Sequence, residues 1–543
     1  MSNGVFKIPT PVNEPGYTYA PGTKEREKLK AELQRQSGIV VDIPVIINGE
    51  DVKTETVKQV VMPHDHQHAL ANYSQAGEKE LRDAVEAAIA AKEAWANMPW
   101  EHRASIFLKA ADLISGPYRD VMNAATMLGQ SKTVIQAEID SAQEISDFLR
   151  FGVYCANQIY QIQPASSKNV WNRTDYRPLD GFVLAISPFN FTAIGGNLPA
   201  APAIMGNVVV WKPATTSMLA NYYFMRILQE AGLPKGVINF VPSRGTQVSE
   251  VVLTDPRMSG FHFTGSTSTF QTIWKTVGEN IANYQSYPRL IGETGGKDFV
   301  FAHESAQVDK VASNLVRGAF EYQGQKCSAA SRAYIPASMW EEVKAGLLEE
   351  TAKLKVGDVR DFTNFMGAVI DQAAFDTIAS YIDYAANSDE AEIIAGGTYD
   401  DSVGYFVQPT IIVTTNPNFK TMTEEIFGPV LTVYVYENDQ LEETLNAVDK
   451  ASMYALTGSI FAQDRQAIIH LERRLSGAAG NFYINDKPTG AVVSQQPFGG
   501  SRGSGTNDKA GSVFNMVRWT SPRVIKENLA PITDITYPFM DEE

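Results

Sequence analysis

Four short apolar runs, each closed by small or polar residues, organise the middle of this chain. Phe182–Ile186 ends in Ser187-Pro188 and Val208–Trp211 in Lys212-Pro213. Val237–Val241 ends in Pro242-Ser243 and Phe261–Thr264 in Gly265-Ser266. Helical repeats separate them, such as Met218–Ala231 and Thr267–Ile281. Continuous apolar strands alternating with helices predict a parallel sheet covered on both faces. In such sheets ligands bind at the carboxyl ends of strands, often against helix N-termini. Ser187, Lys212, Gly265 and Ser266 fall at those ends.

Upstream, Leu81, Ala84, Val85, Ala88, Ala91 and Trp95 recur at spacings of three and four, which predicts a helix over Glu78–Trp95 with one buried face. Residues 1–45 are rich in Pro, Lys and Glu and read as an arm with a short surface helix, Lys24–Lys30 forming a solvated mixed-charge face. Residues 158–180 alternate polar residues with Tyr, Ile and Val and predict a hairpin outside the buried sheet. A second strand-and-helix region runs from about Asp298 to Phe498. No internal repeat or low-complexity segment interrupts the order.

The chain has 543 residues, 44% of them apolar and 20% charged, which is a globular composition with room for about two to four domains. Two cysteines, Cys155 and Cys327, fit a reducing compartment. Cys155 lies in an apolar aromatic stretch and reads as packing. A net charge of -16 disfavours nucleic acid and anionic lipid as partners and suits a soluble metabolic enzyme. No run reaches ~18 apolar residues, so no membrane span is expected. The first residues show neither a secretory signal nor a transit peptide, so the cytoplasm is the expected location, with the mitochondrial matrix as the alternative.

Cys327 stands in Tyr-Gln-Gly-Gln-Lys-Cys-Ser-Ala, a polar loop before the strand Ser331–Ile335. A nearby lysine and backbone N–H groups would lower its thiol pKa toward neutrality and make it a nucleophile. The local sequence fits a free cysteine without a role equally well. Glu293, after Leu290-Ile291 and before two glycines, is a carboxylate at the end of a buried strand, where desolvation raises its pKa and suits a general base. A structural strand-end charge is the other reading. Asn190, after the Phe182–Ile186 strand, is placed to donate to an oxyanion or simply to form a turn. Lys212 could bond a ribose or phosphate, and Phe263-Thr264-Gly265-Ser266-Thr267 is a small-residue turn into a helix that a pyrophosphate could approach. The common dinucleotide and P-loop fingerprints are absent. His64, His66 and His68 lack an accompanying Cys or Glu cluster, so they read as a polar turn and no metal is expected. Gly499–Gly505 could be only a flexible loop.

Taken in order, these elements resemble the aldehyde dehydrogenase superfamily from about residue 40 onward. Ser187-Pro188-Phe189-Asn190, Trp211-Lys212-Pro213-Ala214 and Phe263-Thr264-Gly265-Ser266 resemble three of its motifs. Glu293-Thr294-Gly295-Gly296-Lys297 resembles its base motif, and Cys327 follows Glu293 by 34 residues, the spacing expected between base and nucleophile. Glu424 to Val430 resembles its cofactor-side motif. Cys327-Ser328, the run Phe498 to Lys509 and the closing Arg518 to Glu527 resemble one branch, which oxidises L-glutamate γ-semialdehyde.

The resemblance implies an α/β aldehyde dehydrogenase fold: a Rossmann-like NAD-binding domain (46–157 and 181–296), an α/β catalytic domain (297–500) and a β-hairpin oligomerisation flap (158–180 and 515–543). It implies Cys327 as nucleophile, Glu293 as base and Asn190 as oxyanion donor. It assigns NAD contacts to Ser187, Lys212, Gly265, Ser266, Thr267, Ser268, Thr269, Glu425 and Phe427. Substrate contacts fall to Ser328, Ser504, Gly505 and Phe191, with Ser504 expected to hold the α-carboxylate. Thr215 stands near where strictly NAD-dependent members carry a glutamate, so NADP is not excluded. A homodimer or higher homo-oligomer is implied. Other semialdehyde dehydrogenases, or a catalytically silent protein of this fold, are the alternatives.

Overall fold

The computed structural model describes Gly4 and residues 6–542. Five parallel strands, bounded by apolar runs close to those expected, build the first of two large sheets: Arg289–Glu293, Met258–Thr264, Phe182–Ile186, Val209–Lys212 and Ile238–Phe240, in that spatial order. Val45–Ile47 and Glu50–Val52 add antiparallel at the far edge, making seven strands. Chain order runs outward from Phe182–Ile186 on one side, then returns to place Met258–Thr264 on its other side. That reversal is a topological switch point, and the strand ends beside it open a crevice. Ser187 and Gly265 stand on its two lips.

The five parallel strands are buried along their length except at some of their ends, because helices cover both faces. Met218–Ala231 is helical as expected, closed by Gly232 in the left-handed conformation. The helix over Glu78–Asn97 buries Leu81, Ala84, Val85, Ala88 and Trp95. Thr267–Glu279 begins with Ser266 capping the Thr269 N–H, the arrangement that a small polar residue before a helix favours.

A second seven-stranded sheet uses Asp298–Ala302 and Ala330–Pro336 at its centre, flanked by Val430–Tyr436 and Thr410–Thr414 on one side and Thr457–Phe461 and Asn481–Ile484 on the other. It is parallel except for the edge strand Ala391–Ala395. Glu293 therefore ends a strand of the first sheet, and Cys327 lies in the loop leading into a central strand of the second.

Several expectations need correction. Residues 158–180 form no β-hairpin: a helix runs to Tyr160, residues 162–166 turn back on 172–176 through side-chain bonds such as Gln163 to the Thr174 N–H and carbonyl, and the single strand Val170–Arg177 pairs antiparallel with Ser521–Asn528 near the chain end. The result is a two-stranded ribbon whose arms are far apart in sequence, which no local turn signal could announce. The expected short helix is present as Lys24–Ser37, and described residues on either side of it pack onto the body. Tyr19 donates to Glu138 Oε2 at 2.8 Å, Leu29 and Leu33 are buried, and Val41–Ile43 joins a three-stranded sheet. Of the three histidines only His64 lies in a turn, the Pro63-His64 link between the antiparallel strands Val57–Met62 and Asp65–Ser74. His66 and His68 lie on the strand Asp65–Ser74, bonded to the carbonyls of Asp401 and Ser37, and His64 is buried against Ser131 Oγ at 3.2 Å. Among the described residues no helix is long and apolar enough to cross a membrane.

Candidate active site

Cys327 is held by a loop with unusual backbone. Tyr322, Gln323 and Gly324 are all left-handed, at φ 53°, 55° and 66°. Non-glycine residues persist there only where surroundings hold them. Gln323 Nε2 donates to the carbonyls of Ser131 and Ala368 at 2.9 and 2.6 Å. The Tyr322 and Phe191 rings lie under the buried Lys132 ammonium at 4.4 and 4.0 Å, and Lys132 pairs with Asp140 at 2.7 Å. Asp140 also accepts the N–H groups of Thr192 and Ala193 at 2.9 and 2.8 Å, fixing the start of the helix that Asn190 and Phe191 precede. Asn190 Nδ2 donates to the Gln325 carbonyl at 3.1 Å, two residues from the sulfur. At Gly296 any Cβ would collide with the Cys327 carbonyl, which accounts for the second glycine after Glu293.

The thiol environment differs from expectation. Burial pushes the Cys327 pKa up, and Asp298, Glu425 and Glu293 push it further. The neighbouring Lys326 pairs with Glu321 at 3.3 Å. Sequence adjacency did not translate into spatial adjacency of charge, so at rest the sulfur carries its proton.

Glu293 is desolvated as a strand-end carboxylate should be. Burial pushes it up to about 8, opposed by the Gly500 N–H, Lys509 and the Asn507 N–H. Its Oε2 accepts the Gly500 N–H at 2.7 Å, and Gly505 bridges its backbone. The run Gly499–Gly505 is thus tied to Glu293 rather than free. Burial also raises Asp298 to about 8 and Glu425 to about 7 and lowers Lys297 to about 7. Glu425 Oε1 accepts the Gly296 N–H at 2.9 Å, and a Cβ at Gly295 would strike its carboxylate.

Around the switch point, Lys212 Nζ donates to the Pro213 carbonyl at 3.3 Å, and burial alone lowers it to about 8. Ser268 and Thr269 are exposed on the first turn of their helix; Thr267 Oγ1 meets Tyr454 at 3.3 Å. Phe427, left-handed at φ 58°, packs edge-on against Phe189 at 5.8 Å. The Ser187 hydroxyl donates to the Gly195 carbonyl and accepts from Trp211 Nε1 at 2.6 Å.

Ser504 is more enclosed than a ligand contact requires. Its side chain is fully buried and takes the Ala455 N–H at 3.0 Å, while its carbonyl accepts from Thr294. It lies in the wall behind Glu293. Thr489 was missed in the sequence and lies 2.8 Å, hydroxyl to hydroxyl, from Ser328. Gly490 follows at φ 93°, and Lys487 and Lys326 are close enough for Lys487 to add to the lowering of Lys326. A Pro-Thr-Gly turn after a strand was the available signal. Glu144 was missed too: burial and Asp140 push it up to about 8, while Lys132 and Lys326 oppose. With Glu138, Asp140 and Asp147 close by in the sequence, nothing singled Glu144 out.

A dinucleotide crevice at one sheet's switch point, facing a cysteine and a desolvated glutamate, defines an aldehyde-oxidising fold, and the chain belongs to the aldehyde dehydrogenase family, which it matches over residues 50–525. Among its relatives, it is 53% identical over 536 residues, covering 98% of this chain and 96% of the relative, to the mitochondrial delta-1-pyrroline-5-carboxylate dehydrogenase of Dictyostelium discoideum. It is 50% identical over 529 residues, covering 97% and 94%, to the human enzyme of the same name. The crystal structure of the Delta-pyrroline-5-carboxylate dehydrogenase from Mycobacterium tuberculosis bound with NAD matches with TM-score 0.96 and 52% identity over 100% of both chains.

Proposed function

We propose that this chain oxidises L-glutamate γ-semialdehyde, the hydrolysed form of 1-pyrroline-5-carboxylate, to L-glutamate with NAD as oxidant. The printed names and NAD complex of its relatives support the substrate and the cofactor. The single structural observation carrying the chemistry is the convergence of Cys327, Asn190 and Glu293 from two sheets.

The Cys327 sulfur adds to the aldehyde carbon and its proton passes to solvent as the bond forms, because the resting thiol is not ionised. Asn190 Nδ2 and the Cys327 backbone N–H stabilise the oxyanion. Bound NAD would accept the hydride, leaving a thioester on the sulfur. Lys212, the small residues Gly265 to Thr269, and Glu425 with Phe427 would hold it; the buried Lys212 ammonium, with no carboxylate partner among the described residues, fits a ribose or phosphate. Once Glu293 has released its proton, it takes one from water. The hydroxide adds to the thioester carbonyl, the C–S bond breaks, and the sulfur leaves and is reprotonated.

The amino-acid end of the substrate needs donors for a carboxylate and a counter-charge for an ammonium. Ser328 and Thr489, with Lys326 and Lys487 nearby, fit the first, and Glu144 fits the second. The test is NADH formation from pyrroline-5-carboxylate against succinic and aminoadipic semialdehydes at equal concentration. Equal or better turnover of either competitor sinks the substrate assignment.

We also propose that the chain forms a homodimer or higher homo-oligomer through the ribbon. Trp171, Val524, Ile532, Ile535 and Phe539 are exposed on or beyond it, an apolar surface that favours burial against another copy. Sedimentation of the full chain against one ending at Thr520, which lacks the second arm of the ribbon, tests this; a monomeric full chain rejects it.

A further inference from the structure

The loop that holds Glu293 is closed by one cation. Lys509 Nζ donates to the Gly480 carbonyl at 2.8 Å, the Gly499 carbonyl at 3.0 Å and Asn481 Oδ1 at 3.2 Å. Those three acceptors match the three protons of an ammonium. Asn481 Oδ1 also accepts the Gly499 N–H at 3.2 Å, so both sides of the Gly499 peptide are held. The next N–H, on Gly500, is the one on Glu293 Oε2. Lys509 itself is left-handed at φ 53°, as are Arg502 at 53° and Asn507 at 55°. Paired bonds between Phe498 and Ala510 close the base of the loop.

We propose that Lys509 is a positioning residue for the general base, aiming the Gly500 N–H at Glu293 and supplying the positive charge that keeps the carboxylate available in its ionised form. This rests on the reading of Glu293 as the base for thioester hydrolysis. The charged side chains facing Glu293 are Lys509 and Asp508 from the loop, with the Cys327 thiol across the site. Asp508 opposes ionisation, but it is paired with Arg518 at 3.2 Å and takes the Thr506 hydroxyl. Lys509 is then the charge left to favour the carboxylate. Its charge acts over a peptide unit in a partly buried site, where an opposite charge shifts a carboxyl by about one pH unit.

The experiment follows the pre-steady-state NADH burst and the thioester hydrolysis rate across pH, for the wild type, Lys509→Met and Lys509→Arg. In Lys509→Met the hydrolysis midpoint is expected to move up by about 0.5–1 pH unit, roughly a 3–10-fold loss of rate below it, while the burst keeps its wild-type rate. Lys509→Arg should restore the midpoint. If Lys509→Met does not fold, Lys509→Gln, which keeps N–H donors without charge, must show the same shift. A midpoint unmoved by loss of charge overturns the proposal, however much the overall rate falls. Glu293→Gln in the same assay separates the two levels: wild-type hydrolysis there would overturn the reading of Glu293 itself, whereas its loss beside an unmoved midpoint in Lys509→Met would overturn only the role of Lys509.

Discussion

Ser328 and Thr489 bring their hydroxyls within 2.8 Å of each other although 161 residues separate them. One directly follows the nucleophile; the other lies in a turn after the last strand of the second sheet. Both are buried, so the pair satisfies itself until a stronger acceptor arrives. A carboxylate is such an acceptor, and it would take both protons.

Thr489→Val should therefore raise KM for the semialdehyde about 10–100-fold while leaving an aliphatic aldehyde nearly unaffected, since a lost donor to a charged group amounts to ~1.5–3 kcal/mol. Steady-state kinetics on both substrates decide. Equal effects on the two would remove Thr489 from recognition.

Ser504→Ala should behave differently. It strips the Ala455 N–H of its acceptor in a fully buried position, a loss of ~1–3 kcal/mol of stability. Urea unfolding should show that decrease, and the two aldehydes should be affected alike. A selective KM effect on the semialdehyde would return Ser504 to the binding site.

Cys327→Ala should bind NAD with wild-type affinity and show no acyl adduct by mass spectrometry of quenched enzyme. Turnover near wild type would reject the nucleophile assignment.

Glu293→Gln should keep the burst and lose ~10²–10⁴-fold in thioester hydrolysis. In the wild type, hydrolysis should rise with pH through a midpoint near 8, because the working form is the ionised carboxylate. Stability carries the opposite sign. A carboxyl whose folded pKa is raised keeps its proton between about 4.5 and about 8 while the unfolded chain has released it, so stability falls as pH rises through that window. Chemical denaturation at pH 6 and pH 8 should show a smaller decline in Glu293→Gln than in wild type.

Asp140→Ala would leave the Lys132 cation buried between Phe191 and Tyr322 without its partner and would free the Thr192 and Ala193 N–H groups. Removing one member of a buried pair destabilises by about 3–5 kcal/mol. Denaturant titration measures this, and a change under 1 kcal/mol would contradict the described pairing.

Apolar runs closed by Ser187, Lys212 and Gly265 made the first sheet legible, because a strand buried on both faces must be continuously hydrophobic and its polar end marks the surface. The order of Asn190, Glu293 and Cys327 along the chain likewise carried the family resemblance. What those residues do to one another was decided by tertiary structure alone. Lys326 adjoins Cys327 in sequence yet pairs with Glu321, Ser504 turns inward to Ala455, and Val170–Arg177 finds its partner near the chain end. Covalent order constrains a side chain's neighbours over a turn or two. Electrostatic fields, hydroxyl partners and strand pairing depend on distances through space, and these exist only once both sheets have folded against each other.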